Sequence, residues 1–167
     1  MLDETAKGVF TIAATPFLPD GALDTDSLDR MADFYLERGA TGLTILGVMG
    51  EAGKHSTDEA ETVIKRVCAR ANVPVIVGVS APGFAAIEAL SRVARGNGAS
   101  GVMIAPPASL RTDAQIVGFY RTAGERLGDT PWVIQDFPLG TNVQIDPSVI
   151  LEIVEDNPAC VMLKHED

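Results

Sequence analysis

An α/β fold is predicted for this 167-residue chain by three observations. Short apolar runs rich in Val and Ile recur about every 30 residues, the length of one strand, one helix and two loops. These runs lack polar–apolar alternation, the pattern of strands covered on both faces. The segments between them carry helical periodicity and capping signals.

The first strand is Val9-Phe10-Thr11-Ile12-Ala13-Ala14, followed by the loop Thr15-Pro16-Phe17-Leu18-Pro19-Asp20-Gly21. Thr25 or Asp26 is expected to cap a helix over Ser27–Arg38, whose Leu28, Met31, Ala32, Tyr35 and Leu36 share one face. Gly39 ends that helix, and Gly42-Leu43-Thr44-Ile45-Leu46 forms the second strand. Ser56-Thr57-Asp58-Glu59 is a capping-box pattern that opens a helix turning Val63, Ile64 and Val67 inward. Pro74-Val75-Ile76-Val77-Gly78-Val79 is the third strand, and a helix from Phe84 to Arg95 stops before Gly96-Asn97-Gly98. Gly101-Val102-Met103-Ile104-Ala105 precedes a helix over Asp113–Leu127 capped by Thr112. Trp132-Val133-Ile134 is the fifth strand. Asp146 caps a helix with Pro147 at its first position and Ile150, Leu151 and Val154 along it. Cys160-Val161-Met162-Leu163 closes the series.

Strict alternation leaves two architectures. A doubly wound sheet ordinarily carries a phosphate loop after its first strand, but the loop from Thr15 to Gly21 has neither Walker nor dinucleotide glycine spacing. A (β/α)8 TIM barrel keeps its chemistry at the C-terminal ends of its strands. Polar residues collect there: Thr15, Glu51, Ser80, Gln135, Asp136 and Lys164. The barrel is therefore predicted, with residues 1–167 supplying about the first six strands of a single domain. Such a barrel typically needs about 250 residues. The expectation is an N-terminal portion truncated after strand six, where an unpaired apolar edge would otherwise remain.

Composition narrows the partners. Hydrophobic residues make up 46% and charged residues 22%, as in ordinary globular proteins. No apolar run approaches the roughly 18 residues of a membrane span. The opening Met1-Leu2-Asp3-Glu4-Thr5-Ala6-Lys7 does not resemble a secretory signal, so a cytoplasmic location is expected. A net charge of −10 argues against nucleic acid or an anionic membrane as partner. Any anionic substrate must then be held by local groups. Cys68 and Cys160 sit among apolar residues without metal-type spacing and read as buried free thiols.

Lys164 is the leading candidate for chemistry. An amine at the exit of an apolar strand loses hydration, which disfavours the ammonium form. A neutral amine can attack a ketone and form a Schiff base. The segment alone fits a solvated lysine at a strand end better; the pattern of the rest of the chain reverses that.

The order of motifs adds to this. Gly8-Val9-Phe10 with Thr15-Pro16-Phe17 is followed by Gly39-Ala40-Thr41-Gly42-Leu43 and Gly47-Val48-Met49-Gly50-Glu51. Then come Pro74–Val79, Gly98-Ala99-Ser100-Gly101-Val102 with Pro106-Pro107, Phe137-Pro138 and Lys164. This set resembles the dihydrodipicolinate synthase / N-acetylneuraminate lyase family, pyruvate-dependent class I aldolases on a (β/α)8 barrel. The resemblance implies that Lys164 forms an imine with pyruvate or another 2-oxo acid. It implies that backbone N–H groups of Gly47, Val48 and Met49 hold the substrate carboxylate, and Thr15 is expected as a further substrate-binding residue. It also implies a homo-oligomer, a dimer or tetramer, and no cofactor or metal.

The chain departs from the family pattern at several points. Val48 and Met49 stand where the family usually has two threonines, and Gln135 falls at the family's tyrosine. Glutamine cannot cycle a proton as a phenol can. Ala108 and Ser109 follow Pro106-Pro107 where a tyrosine is common, and Leu139-Gly140-Thr141-Asn142 lacks the synthases' arginine. Asp136 is the candidate acid–base replacement. These departures argue against authentic dihydrodipicolinate synthase activity, with aspartate semialdehyde as the disfavoured acceptor. The first reading is a Schiff-base lyase or aldolase. The alternatives are a non-catalytic or 2-oxo-acid-binding descendant, and a metal-dependent barrel enzyme using Asp136, His165, Glu166 or Asp167.

Overall fold

A computed structural model describes residues 1–166 of the chain. Strands β1 (Phe10–Ile12), β2 (Gly42–Ile45), β3 (Val75–Gly78), β4 (Gly101–Ile104), β5 (Trp132–Asp136) and β6 (Cys160–His165) form one sheet in sequence order. Every neighbouring pair is parallel. Helices α1 (Thr25–Glu37), α2 (Thr57–Arg70), α3 (Phe84–Gly96), α4 (Asp113–Leu127) and α6 (Pro147–Asp156) make the crossovers. A one-turn helix, α5 (Pro138–Thr141), follows β5. This is the half-barrel that the alternation predicts.

The strands are apolar on both faces because each face meets a different core. Leu43, Ile45, Val75, Val77, Val102, Ile104, Trp132 and Ile134 pack outward against the helices, including Leu28, Val63, Ile64, Ile87, Tyr120 and Ile153. Ile76, Met103 and Val133 face inward, where Leu2, Phe10 and Met162 join them. Successive residues of a strand point to opposite faces, so Val–Ile runs supply two cores at once.

Capping decides where the helices begin. Ser56 and Glu59 form the expected capping box on α2, and Thr112 and Gln115 form a second on α4. Asp146 caps α6 through Ser148. On α1 the cap is Asp24, in place of the expected Thr25 or Asp26. Its carboxylate accepts from the Ser27 N–H at 2.9 Å, so the helix starts at Thr25. Arg66 and Arg70 of α2 reach across to Asp29 and Asp33 of α1, tying the first two helices together.

Candidate active site

The loop after β2 is shaped by backbone rather than by side chains. Leu46 and Glu51 adopt left-handed conformations at φ 53° and 55° and bracket it. Non-glycine residues in that region cost about 1–3 kcal/mol each and persist only where the surroundings hold them. Those restraints are visible. The Glu51 N–H donates to the Val48 carbonyl at 3.0 Å and the Ala52 N–H to the Gly47 carbonyl at 3.3 Å. The buried Thr15 hydroxyl donates to the Gly50 carbonyl at 2.8 Å, and His55 Nε2 lies 3.0 Å from the same oxygen. A Cβ on Gly50 would crowd the Leu46 nitrogen at 3.1 Å and the Ala13 oxygen at 3.2 Å, so a side chain there would force the backbone to give by a few tenths of an ångström. Among the described residues, none accepts a hydrogen bond from the Val48 or Met49 N–H.

The ends of β5 and β6 are set by a one-residue irregularity. Trp132 pairs with Cys160, but Val133 pairs with Met162, leaving one extra residue in β6. Counting on from Trp132–Cys160 without it would set Gln135 beside Leu163. With it, Gln135 pairs with Lys164 and Asp136 with His165. The bulge thus turns Lys164 to the inner face, since a one-residue slip reverses every later side chain. Alternation then sends His165 outward and Glu166 inward. The Glu166 N–H donates to the Asp136 carbonyl at 2.8 Å and continues the ladder.

These two ends and the loop enclose a cavity of about 140 Å³, lined by Ile12, Gly47, Val48, Met49, Met103, Gln135, Phe137, Lys164 and Glu166. It is well below the roughly 300–1,000 Å³ of pockets for larger ligands, and suits a molecule of a few heavy atoms. Within it, Gln135 Nε2 donates to Glu166 Oε1 at 2.9 Å, and Lys164 Nζ ion-pairs with the same oxygen. Burial alone pushes the Glu166 carboxyl up. The hydrogen bonds from Lys164 and Gln135 and the Lys164 charge more than offset this and leave it below the usual glutamate range.

Gly47, Val48, Met49, Gln135 and Lys164 therefore come together as one site. Thr15, expected to bind substrate, does not line the cavity: it is buried beneath it, its hydroxyl spent on the Gly50 carbonyl, and holds the loop. Asp136 does not join them. It is buried on the outer face, with Oδ2 2.8 Å from His165 Nδ1, so the acid–base role anticipated for it has no support from its position. Strand alternation is the reason: Asp136 follows Gln135 and faces the helices. Glu51 pairs with Lys54 at the loop's end, Ser80 accepts from the Ala105 N–H, and Arg111 bonds to the Ala108 and Leu110 carbonyls. Glu166, expected only as a metal ligand, instead joins Lys164 and Gln135. Its place on the face of Lys164 follows from positions two apart on a strand sharing a face, but its meeting with Gln135 depends on the bulge.

Among the described residues, no three His, Cys, Asp or Glu side chains gather to hold a metal ion. Asp136 and His165 meet on one face and Glu166 lies on the other, while Asp167 lies outside the described residues. Burial pushes the Cys68 and Cys160 thiols up to about 11, which keeps them from acting as nucleophiles near neutral pH. No helix of the described residues is long and apolar enough to cross a membrane.

Comparison with known proteins converges on one group. Residues 5–166 match the dihydrodipicolinate synthetase family. A 4-hydroxy-tetrahydrodipicolinate synthase of Xanthomonas axonopodis pv. citri is 33% identical over 162 residues, which cover 95% of this chain and 53% of that protein. A crystal structure of dihydrodipicolinate synthase from Rhodopseudomonas palustris superimposes with a TM-score of 0.95 at 55% identity, covering 99% of this chain and 56% of that one. One from Thermotoga maritima gives 0.88 at 30% identity, covering 96% and 55%. The chain spans about half the length of the curated relatives it matches.

Proposed function

This chain belongs to the dihydrodipicolinate synthetase family, and from that premise we propose that it carries the imine-forming site of a Schiff-base lyase or aldolase acting on pyruvate or another small 2-oxo acid. The observation that supports this best is the shared cavity of Lys164 and the Gly47-Val48-Met49 loop. The amine and the loop line the same small space, and among the described residues no acceptor takes the Val48 or Met49 N–H. Backbone N–H groups at a tight turn bind an anion without depending on side-chain identity, so Val48 and Met49 can fill a role the family gives to threonines. With the carboxylate held there, the adjacent ketone carbon comes within reach of Lys164 Nζ.

The chemistry follows. The neutral Lys164 amine adds to the ketone, water leaves, and the resulting imine draws electrons from the neighbouring carbon. A carbon–carbon bond next to that carbon can then form or break, or a hydroxyl can be eliminated. Nothing in this sequence of steps requires a metal or cofactor. The reading extends to a cytoplasmic homo-oligomer.

The departures noted above bear on the second substrate. Gln135 replaces a phenol, Val48 and Met49 replace hydroxyls, and Leu139–Asn142 offers no arginine. These favour an acceptor or leaving fragment other than aspartate semialdehyde. The same departures favour, as a second reading, a protein that binds a 2-oxo acid without turnover. Borohydride reduction of the full-length protein with pyruvate, followed by peptide mass spectrometry, tests the first step. A pyruvyl adduct on Lys164 is expected, and no adduct under conditions that trap an authentic synthase would remove the Schiff-base reading for pyruvate. Turnover with a panel of aldehydes separates catalysis from binding.

A further inference from the structure

We propose that Glu166 is the proton-transfer group of this site, carrying the protons that imine formation at Lys164 must move. The inference rests on the Schiff-base reading and assigns a step within it. Gln135 leaves the position of the family's tyrosine without an ionisable group. Glu166 Oε1 is joined to both Lys164 and Gln135 Nε2, and the side chain lines the same cavity. Among the cavity-lining residues it is the only carboxylate. Asp136 and His165 instead bond to each other on the opposite face of the strands.

The step balances with Glu166 taking the first proton and returning it to the departing hydroxyl, the remaining proton moving directly from nitrogen to oxygen. The Glu166 carboxylate takes one proton from the Lys164 ammonium, freeing the nitrogen lone pair. That lone pair bonds to the ketone carbon and the carbonyl π electrons move to oxygen. A proton passes from the nitrogen to that oxygen, giving a neutral carbinolamine. Protonated Glu166 then donates to the hydroxyl, which departs as water with the C–O electrons as the nitrogen lone pair closes the C=N bond. An ammonium and a ketone have become a protonated imine and one water, and Glu166 is again a carboxylate. Gln135 has a fixed part here: its N–H holds the carboxylate oriented while the proton moves.

The test is the rate of imine trapping by borohydride at saturating pyruvate in the full-length protein, for wild type, Glu166→Gln and Glu166→Ala. Glu166→Gln is expected to slow trapping on the order of 10²-fold or more. In Glu166→Ala, added formate should restore the rate in proportion to its concentration, because a small carboxylate can enter the space vacated. A group that only positions Lys164 would not be replaced by formate, so a slow variant without rescue overturns the proposal. Trapping in Glu166→Gln within about threefold of wild type also overturns it, while leaving the Schiff-base reading intact. Failure of wild type to trap at all defeats both, and is thereby distinguished from failure of the Glu166 assignment alone.

Discussion

Gly78 lies hard against the backbone of Leu46: a Cβ at Gly78 would overlap the Leu46 carbonyl oxygen and stand 2.7 Å from its carbon. The end of β3 is thus the floor on which the loop after β2 rests. Backbone atoms cannot yield as a flexible side chain can, so Gly78→Ala must push Leu46 and the residues after it. We predict a loss of about 1–3 kcal/mol or more in denaturant unfolding, together with weaker pyruvate binding. Gly118→Ala is the matched control. A Cβ there meets nothing within 4 Å and the position is helical, so a gain of about 0.5–1 kcal/mol is expected. A neutral Gly78→Ala would show that the loop does not lean on this contact.

Thr15 acts on the site through Gly50 rather than by touching the cavity. Thr15→Val keeps the shape and removes the 2.8 Å bond to the Gly50 carbonyl. A cost of about 1 kcal/mol in stability is expected. If the loop carries the same loss, the pyruvate concentration for half-maximal trapping rises about fivefold. An unchanged concentration dependence would mean that His55 alone holds the carbonyl.

How far the sequence reached can be judged at particular residues. Six strands, the capping box at Ser56 and the cap at Thr112 were legible because each depends on local chemistry or on strand period. The one-turn helix Pro138–Thr141 was not, since four residues carry no periodicity. Asp24 lay one residue before the expected caps, where Thr25 and Asp26 offer equally good capping chemistry. The partnership of Lys164, Gln135 and Glu166 was hidden for a different reason. It depends on the extra residue in β6 opposite Trp132 and Val133, and no local pattern around Cys160–Met162 announces it.

The two thiols offer a check on the packing of the outer core. At pH 8 a thiol with a pKa of about 11 is roughly one part in a thousand thiolate, against about a quarter for an unperturbed cysteine. Alkylation of Cys68 and Cys160 by iodoacetamide should therefore be slow in the folded protein and rise at least a hundredfold on unfolding in urea. Rapid labelling of Cys160 in native buffer would contradict its burial between β6 and the helices.

The last prediction concerns the direction of a pH shift. Burial raises the Glu166 carboxyl, while hydrogen bonds from Lys164 and Gln135 and the Lys164 charge bring it below its ordinary value of 4.5. Gln135→Leu removes one of the lowering bonds and adds apolar surface, and both changes raise the group. If Glu166 must be a carboxylate to take the Lys164 proton, trapping is lost as pH falls through its pKa. The acid limb of the Gln135→Leu profile should then lie at higher pH than that of wild type. Stability follows the same sign. A carboxyl lowered by folding contributes stability that is fully present above its unfolded value near 4.5 and is lost as pH falls through the folded value. Gln135→Leu reduces that contribution, so melting temperatures measured from pH 3 to pH 7 should depend less on pH in the variant. An acid limb that moves downward, or does not move, would separate Glu166 from Gln135 and leave the 2.9 Å bond between them without consequence for proton transfer.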